Sequence, residues 1–394
     1  MSISSTSKSP RDVVIVGATR TAIGRGKREV GVFSDVHPAN LLAHVYGAVL
    51  DQAGVPAADV GEVISGVVTQ IGEQSNNIAR SAWLQAGLPV EVPATTIDVQ
   101  CGSSQQAVHF GAAQIKAGVH DLVLAAGVEH MGRIPMGVGV GDPERGYPWT
   151  PELLDRYAIT SQGISAELIA ESWSLTRTEL DELGVRSHAN AARAVDEGRF
   201  AREIAAFTKP DGTVVDADQG IRPGTTLEVL AKLKPAFKED GIITAGTSSQ
   251  ISDGAAAVLL ASRETAERLG LPIRAEVVDH VVTGVDPVIM LTGPIPATQQ
   301  ILQRNGLSIS DIDRVEINEA FASVVAAWGK ELAPDWDRVN VNGGALALGH
   351  PLGSSGARLI TTLVHELERS DSEYGLSTMC TAGGLGTATL IRRV

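Results

Sequence analysis

Two cysteines, Cys101 and Cys380, are all that this chain of 394 residues contains, which excludes a disulfide framework. The opening stretch Met1 to Pro10 is rich in serine and has no apolar core, so it reads as a loose terminus and not as an export signal. Reduced thiols and a cytoplasmic location are therefore expected. No apolar run is long: Ala255 to Ala261 falls far short of the roughly 20 residues that span a bilayer. Positive charge is also scarce, with 32 Lys and Arg against 46 Asp and Glu and a formal net charge of -14. Nucleic acid and anionic membranes both need a positive field, so neither is expected as a partner, and a phosphorylated ligand must meet a local basic patch. Aromatics make up only 4%.

What is abundant is small: 42 glycines within a composition that is 43% hydrophobic and 20% charged, as in a compact α/β protein. The length exceeds what one core usually serves, which predicts two units or one core with a large insertion. Short β-rich runs (Val13 to Val16, Val63 to Val68, Leu122 to Ala126) alternate with helical patterns at Asn40 to Ala53 and Gln105 to Ala117. In the second of these, Ala107, Val108, Gly111, Ala112 and Ile115 form one apolar stripe. Such an order predicts a mixed sheet covered by helices. The last third repeats the plan: Asp59 to Ile64 resembles Asp311 to Glu316, and Asp121 to Leu124 sits at a similar offset from Tyr374 to Ser377, which suggests a duplicated fold. From Val128 to Ala245 the pattern turns to glycine, proline and polar residues around helices near Ile164 to Glu171 and Glu179 to Glu197. A stretch of that length is read as an inserted lid with its own helices, shaping a site.

Four constellations carry chemical potential. Asp98 to Ala107 places Cys101 between a strand and a helix, where unpaired N–H groups and the helix dipole favour a thiolate and could hold an oxyanion. Asn342 to Gly353 is a glycine-rich turn that sets His350 at another helix start, where an imidazole could take a proton from a thiol. Met379 to Gly386 puts Cys380 before a glycine-rich bend that a ligand can approach closely. Glu316 to Phe321 offers an amide and a carboxylate side by side, Asn318 and Glu319, for which a helix cap is the plain explanation. Taken singly, each has such a reading: a buried small residue, a capping histidine, a cap.

Together, in order and spacing, the four resemble the motifs of the thiolase family: Cys101-Gly102-Ser103, Asn318-Glu319-Ala320-Phe321, His350-Pro351-Leu352-Gly353 and Cys380. Val16 to Gly24 resembles the family's first strand and turn, and Ser249 to Ala257 the segment that runs along pantetheine. The resemblance implies a duplicated α-β-α-β-α layered fold with mixed sheets and an inserted loop domain. The expected division is an N-terminal half at 1–127 and 246–272, a lid at 128–245, and a C-terminal half at 273–394. Carrier-protein-dependent condensing enzymes lack the Asn-Glu-Ala-Phe stretch and are the distant alternative.

What the resemblance implies chemically is a thiolase: CoA-dependent cleavage of a 3-ketoacyl-CoA, as in fatty acid β-oxidation or steroid degradation, or the reverse Claisen condensation. Cys101 would carry the acyl group, His350 would be its base, and Cys380 the acid and base for acetyl-CoA and CoA. Asn318 would hold a water beside His350 in one oxyanion hole, and the N–H groups of Cys101 and Ala382 would form the other. Most members have glycine where this chain has Ala382, and a positive φ there would cost alanine something. Glu319 is expected to orient the site. Arg222, Ala245 and Ser249 match positions that contact CoA. No metal and no prosthetic group are implied, since CoA is a substrate. A homodimer or homotetramer is expected. Short-chain members carry methionine before the glycine of a Met-Gly-Ile-Thr-Ala-Glu stretch. This chain reads Gln162-Gly163-Ile164-Ser165-Ala166-Glu167, which points to an acyl group larger than acetoacetyl. The alternative is a biosynthetic enzyme restricted to acetoacetyl-CoA.

Overall fold

A computed structural model describes residues 9–141, 144 and 146–394, so most of the expected loose terminus lies outside the described residues. Strands β1 (Val13–Arg20), β2 (Glu62–Gly66), β3 (Ala94–Ile97), β4 (Leu122–His130) and β5 (Ser252–Ser262) come from the first part of the chain. Strands β6 (Ala275–Gly284), β7 (Arg314–Ile317), β8 (Tyr374–Thr381) and β9 (Leu385–Arg393) come from the last. They lie side by side in the order β7-β8-β9-β6-β1-β5-β4-β2-β3, with the two-residue strand Gly24–Arg25 pairing onto β5.

The order is a repeat. In the first half, the opening strand β1 is flanked by β5, then β4, then β2; in the second, β6 is flanked by β9, then β8, then β7. Hydrogen-bond direction repeats too: β2 runs parallel to β4 and β7 parallel to β8, while the last two pairings in each half are antiparallel. An isolated parallel bridge between Val315 and Val339 marks where a counterpart of β3 would lie. The halves meet at β1 and β6 through only two residue pairs, Val14 with Glu276 and Ile15 with Ala275.

Alternation along the strands sorts the core into layers. Val14 and Val16 of β1 pack with helices α1 (Pro38–Ala53) and α2 (Ile78–Gln85), whereas Val13 and Ile15 face α3 (Ser103–Lys116) and α8 (Ser355–Arg369). In β9, Ile391 faces that same central helix pair, and Leu390 faces α6 (Pro294–Arg304) and α7 (Ala322–Leu332) on the far side. The predicted stripe of α3 is buried entirely, because it meets sheet on both flanks. Helices, sheet, helices, sheet, helices is the resulting sequence of layers. Local signals fix the ends of these elements. Pro38 begins α1 and left-handed Gly54 stops it, while a capping box between Thr176 and Glu179 starts α5 (Arg177–Asp196).

Between β4 and β5 the chain leaves the sheet and crosses to the other half. Helix α4 (Gln162–Ser172) packs on the outer core of the second half, and its Ser165 hydroxyl donates to the Ile289 carbonyl at 2.6 Å. Helix α5 reaches further: Asn190 donates to the Asn340 carbonyl at 3.0 Å. This segment is thus bound by hydrogen bonds to the second half while emerging from the first.

Candidate active site

Cys101 stands where the chain turns from β3 into α3. The preceding residue, Gln100, is left-handed at φ +50°, a costly conformation for a side chain with a Cβ. Three hydrogen bonds hold the turn. Asp98 Oδ1 accepts the Gln100 N–H at 2.7 Å, Ser103 Oγ accepts the Val99 N–H at 2.9 Å, and the Ser103 hydroxyl donates to the Gln100 carbonyl at 2.6 Å. Cys101 is only 3% exposed, packed with Met131, Leu352, Leu359 and Met379. Gly102, not Cys101, caps the helix.

Residues from the other half complete the surroundings. The backbone N–H groups of Ala382 and of Cys101 itself both favour the thiolate form of Cys101. Cys380, fully buried near the end of β8, lies close enough to Cys101 for the two thiols to interact electrostatically. The bend that follows takes its left-handed positions at Gly383 (φ +80°) and Gly384 (φ +76°), not at Ala382. The expected strain of an alanine in the oxyanion turn is therefore absent, because the two glycines absorb it.

Burial decides the protonation states. Desolvation pushes the Cys101 thiol up to about 12; the N–H groups of Ala382 and Cys101 oppose this, and the Glu129 and Asp98 carboxylates add to it. Cys380 is driven up by burial and then by its neighbour Cys101. His350 is lowered to about 3 by burial and then by the Arg358 guanidinium. The sequence favoured a thiolate at a helix start. Loss of water works against that thiolate, and it disfavours the imidazolium as well.

His350 is not at a helix start, as its motif suggested, but in the link between the short helix Ala345–Leu348 and the one-turn helix Leu352–Ser354. Gly349 before it has φ +109°, and a Cβ there would collide with Ser252 Oγ, so glycine is required. The Ser355 hydroxyl gives its proton to the Pro351 carbonyl (2.8 Å) and so accepts from His350 Nδ1–H (2.6 Å). That assigns the tautomer: Nε2 carries the lone pair and accepts from Asn318 Nδ2 at 3.3 Å. Asn318 Oδ1 is buried with no hydrogen-bond partner among the described residues.

Asn318 and Glu319 follow β7 but cap nothing, since α7 begins only at Ala322 after Phe321. The Glu319 carboxylate accepts from Ser187 Oγ (2.6 Å), Asn340 Nδ2 (2.8 Å) and the Leu346 N–H (3.1 Å). It therefore ties α5 and the glycine-rich turn to β7, just upstream of His350. Burial raises its pKa against those three donors.

Ser249 is half-buried, and its N–H donates to the Ala320 carbonyl at 2.9 Å, beside Asn318 and Glu319. Gln250 Nε2 reaches the carbonyls of Gly220, Leu346 and Ala347 at 3.0 to 3.1 Å, pinning the segment before Arg222 against the turn that leads to His350. Arg222 itself is exposed, its N–H donating to His188 Nδ1 at 3.2 Å, and Ala245 is exposed.

Sequence reasoning missed Glu129. Fully buried on β4, it accepts from the N–H groups of Val68 (2.9 Å), Thr69 (3.0 Å) and Gly353 (3.0 Å) and from Gln74 Nε2 (2.9 Å). One carboxylate thus fastens the loop after His350 to the Val68 loop beside Cys101. Ser355 and Asn340 were missed for the same reason: their partners are remote in sequence, and only an isolated acid or an amide in a strand-like run could have hinted at them.

Set against known proteins, residues 13–264 match the family model of the thiolase N-terminal domain and residues 271–393 that of the thiolase C-terminal domain. A steroid 3-ketoacyl-CoA thiolase of Mycobacterium tuberculosis is 45% identical over 97% of this chain and 94% of its own. A 3-ketoacyl-CoA thiolase of Saccharophagus degradans is 45% identical over 98% and 99%. An acetyl-CoA acetyltransferase of Pseudomonas aeruginosa is 43% identical over 97% and 100%. Among solved structures, the Bacillus anthracis acetyl-CoA acetyltransferase superposes with a TM-score of 0.89 at 37% identity, over 97% of this chain and 99% of that one.

Proposed function

This chain belongs to the thiolase family, and from that membership we propose that Cys101, His350 and Cys380 carry its reaction through an acyl-Cys101 intermediate. The protein is an acyltransferase that cleaves 3-ketoacyl-CoA with CoA, or runs the reverse condensation. The observation that supports the residue assignment is the packing of Gly102, next to Cys101 in one half, against Thr381, which lies between Cys380 and Ala382 in the other.

In thiolysis His350 Nε2 takes the Cys101 proton as the sulfur bonds to the ketone carbon of the substrate. Collapse of that adduct breaks the carbon-carbon bond, and the departing enolate of acetyl-CoA takes the Cys380 proton. The Cys380 thiolate then takes the thiol proton of an incoming CoA, whose sulfur attacks the acyl carbon. Cys101 leaves as thiolate and recovers its proton from the His350 imidazolium. Desolvation of Cys101 and His350 suits this scheme, because every proton moves only when a reacting group arrives. In this reading the N–H groups of Cys101 and Ala382 receive the acyl oxygen as it gains charge, and Asn318 Oδ1, which has no partner among the described residues, holds a water beside His350 for the other oxyanion. Glu319 serves by holding the turn. No prosthetic group enters; Arg222 and Ser249 meet CoA as a substrate.

For the acyl group, we propose something larger than acetoacetyl. Gln162 opens α4 half-buried, on a segment whose Thr160 and Ser165 hydroxyls bond the Val288 and Ile289 carbonyls next to buried Met290. Relatives named steroid and 3-ketoacyl-CoA thiolases favour that reading. We also propose a cytoplasmic homo-oligomer. Exposed Met136, Val138, Tyr147, Trp149 and Leu154 support self-association, and no helix among the described residues is long and apolar enough to cross a membrane. The test is CoA-dependent cleavage of a series of 3-ketoacyl-CoAs, with Cys101→Ala as control. Activity confined to acetoacetyl-CoA would overturn the chain-length reading, and cleavage by Cys101→Ala would overturn the intermediate.

A further inference from the structure

One buried amide connects the two cysteine-bearing elements. Gln105 lies one turn beyond Cys101 on α3, is fully buried, and uses both ends of its side chain. Its Oε1 accepts the Thr387 hydroxyl at 2.6 Å; its Nε2 donates to Thr389 Oγ1 at 2.7 Å and to the Ser377 carbonyl at 3.2 Å. Ser377 is on β8, and both threonines are on β9. These two strands form the hairpin that carries Cys380 near the end of β8 and Ala382 in its bend. Thr387 pairs across the hairpin with Met379, the residue before Cys380. His109, a turn further along α3, adds a bond to Thr389 Oγ1 at 2.8 Å. At the other end, Gly102 packs so tightly against this hairpin that a Cβ would lie 2.9 Å from Thr381 and 3.1 Å from Thr387.

Apolar contacts between a helix and a sheet tolerate small slides, whereas an amide with both ends engaged does not. We propose that Gln105 is a positioning residue that fixes the separation of the Cys101 and Cys380 sulfurs, by clamping the helix of one to the hairpin of the other. The proposal rests on the reading of Cys380 as the proton carrier. Misplacement of reacting groups by about 1 Å costs on the order of a hundredfold in rate, and the clamp acts on that distance.

The test compares Gln105→Met, which keeps length but loses all four bonds, the one to Ser377 Oγ at 3.4 Å included, with Thr387→Val and the hydroxyl-retaining Thr387→Ser. Thermal unfolding, kcat and KM for CoA are measured for each. Expected for Gln105→Met and Thr387→Val is a loss of roughly ten- to a hundredfold in kcat with KM for CoA held within about twofold, and near-normal kcat for Thr387→Ser. If Gln105→Met does not fold, the isosteric Thr387→Val carries the comparison. The same changes are then made on Cys380→Ser, where alignment of the second thiol no longer matters, so their further effect on the residual rate falls to about twofold or less. Equal losses in both backgrounds, or folded variants with wild-type kcat, overturn the clamp. A Cys380→Ser enzyme of undiminished activity instead removes the underlying assignment of Cys380, and the clamp with it.

Discussion

Asn318 donates its amide N–H to His350 Nε2 at 3.3 Å, while its own Oδ1 stays buried without a partner among the described residues. The same side chain thus marks the proton-accepting face of the imidazole and offers an acceptor beside it. Asn318→Ala is expected to lower kcat by roughly a hundredfold. Steady-state kinetics on a variant shown by calorimetry to be folded checks this, and an unchanged kcat contradicts it.

Cys101 reactivity should rise with pH well past neutrality. Burial pushes its thiol up to about 12, so the thiolate fraction grows about tenfold per pH unit through the whole accessible range. Alkylation by iodoacetamide, followed by mass spectrometry at Cys101 between pH 6 and 10, reads that fraction directly. A plateau below pH 8 would mean that the helix end and Ala382 outweigh desolvation.

Acid should penalise the fold through His350. Its folded pKa of about 3 lies below the ordinary 6.5, so above pH 6.5 both folded and unfolded forms are neutral and its contribution is complete. Below that, the unfolded chain takes up a proton that the folded one refuses, and stability is lost as pH falls toward 3. At pH 5 the loss is about 2 kcal/mol. Comparing wild type with His350→Asn at pH 8 and pH 5 cancels the other titrating groups, and the difference should move in favour of the variant at pH 5. A pH-independent difference would show that the imidazole titrates normally when folded.

Substitutions in the oxyanion turn should separate two kinds of backbone. Ala382 has no left-handed φ, so Ala382→Gly adds only chain freedom and should cost about 0.5 to 1 kcal/mol. Gly384 is left-handed, and a Cβ there would sit 2.7 Å from the Val285 carbonyl, so Gly384→Ala should cost about 1 to 3 kcal/mol and disturb acyl transfer. Chemical denaturation gives both values, and the reverse ranking would refute the assignment of strain.

Gln162→Met should narrow the acyl pocket. The ratio of kcat/KM for a long 3-ketoacyl-CoA to that for acetoacetyl-CoA is expected to fall by about tenfold, the scale of a small change in pocket shape. An unaltered ratio would detach Gln162 from chain-length choice.

The layered fold was legible because β1, β4 and α3 announce themselves by local periodicity, and because Asp59 to Ile64 and Asp311 to Glu316 do lead into β2 and β7 at equivalent places in the two halves. Cys101, His350, Cys380 and Asn318 stood out through motifs with unusual neighbours. Gln105, Glu129 and Ser355 did not, since each looks like an ordinary polar residue until a partner from a distant segment is beside it. The desolvation that opposes a thiolate at Cys101 was not legible for a related reason. A helix start can be read from nearby residues, but exclusion of water depends on Met131, Leu352, Leu359 and Met379, which only the folded chain assembles.

The sheet order also separates chain order from chemistry. Val14 at the start of β1 and Arg392 at the end of β9 pair with the same residue, Glu276, from its two sides. Two strand spacings, about 10 Å, divide them. A linker of a few residues could join those strands, and new ends could be opened at the exposed turn around Gly212, far along the chain from every group that handles a proton. A circular permutant of that kind would begin and finish elsewhere yet bring the same sulfur, imidazole and amide together.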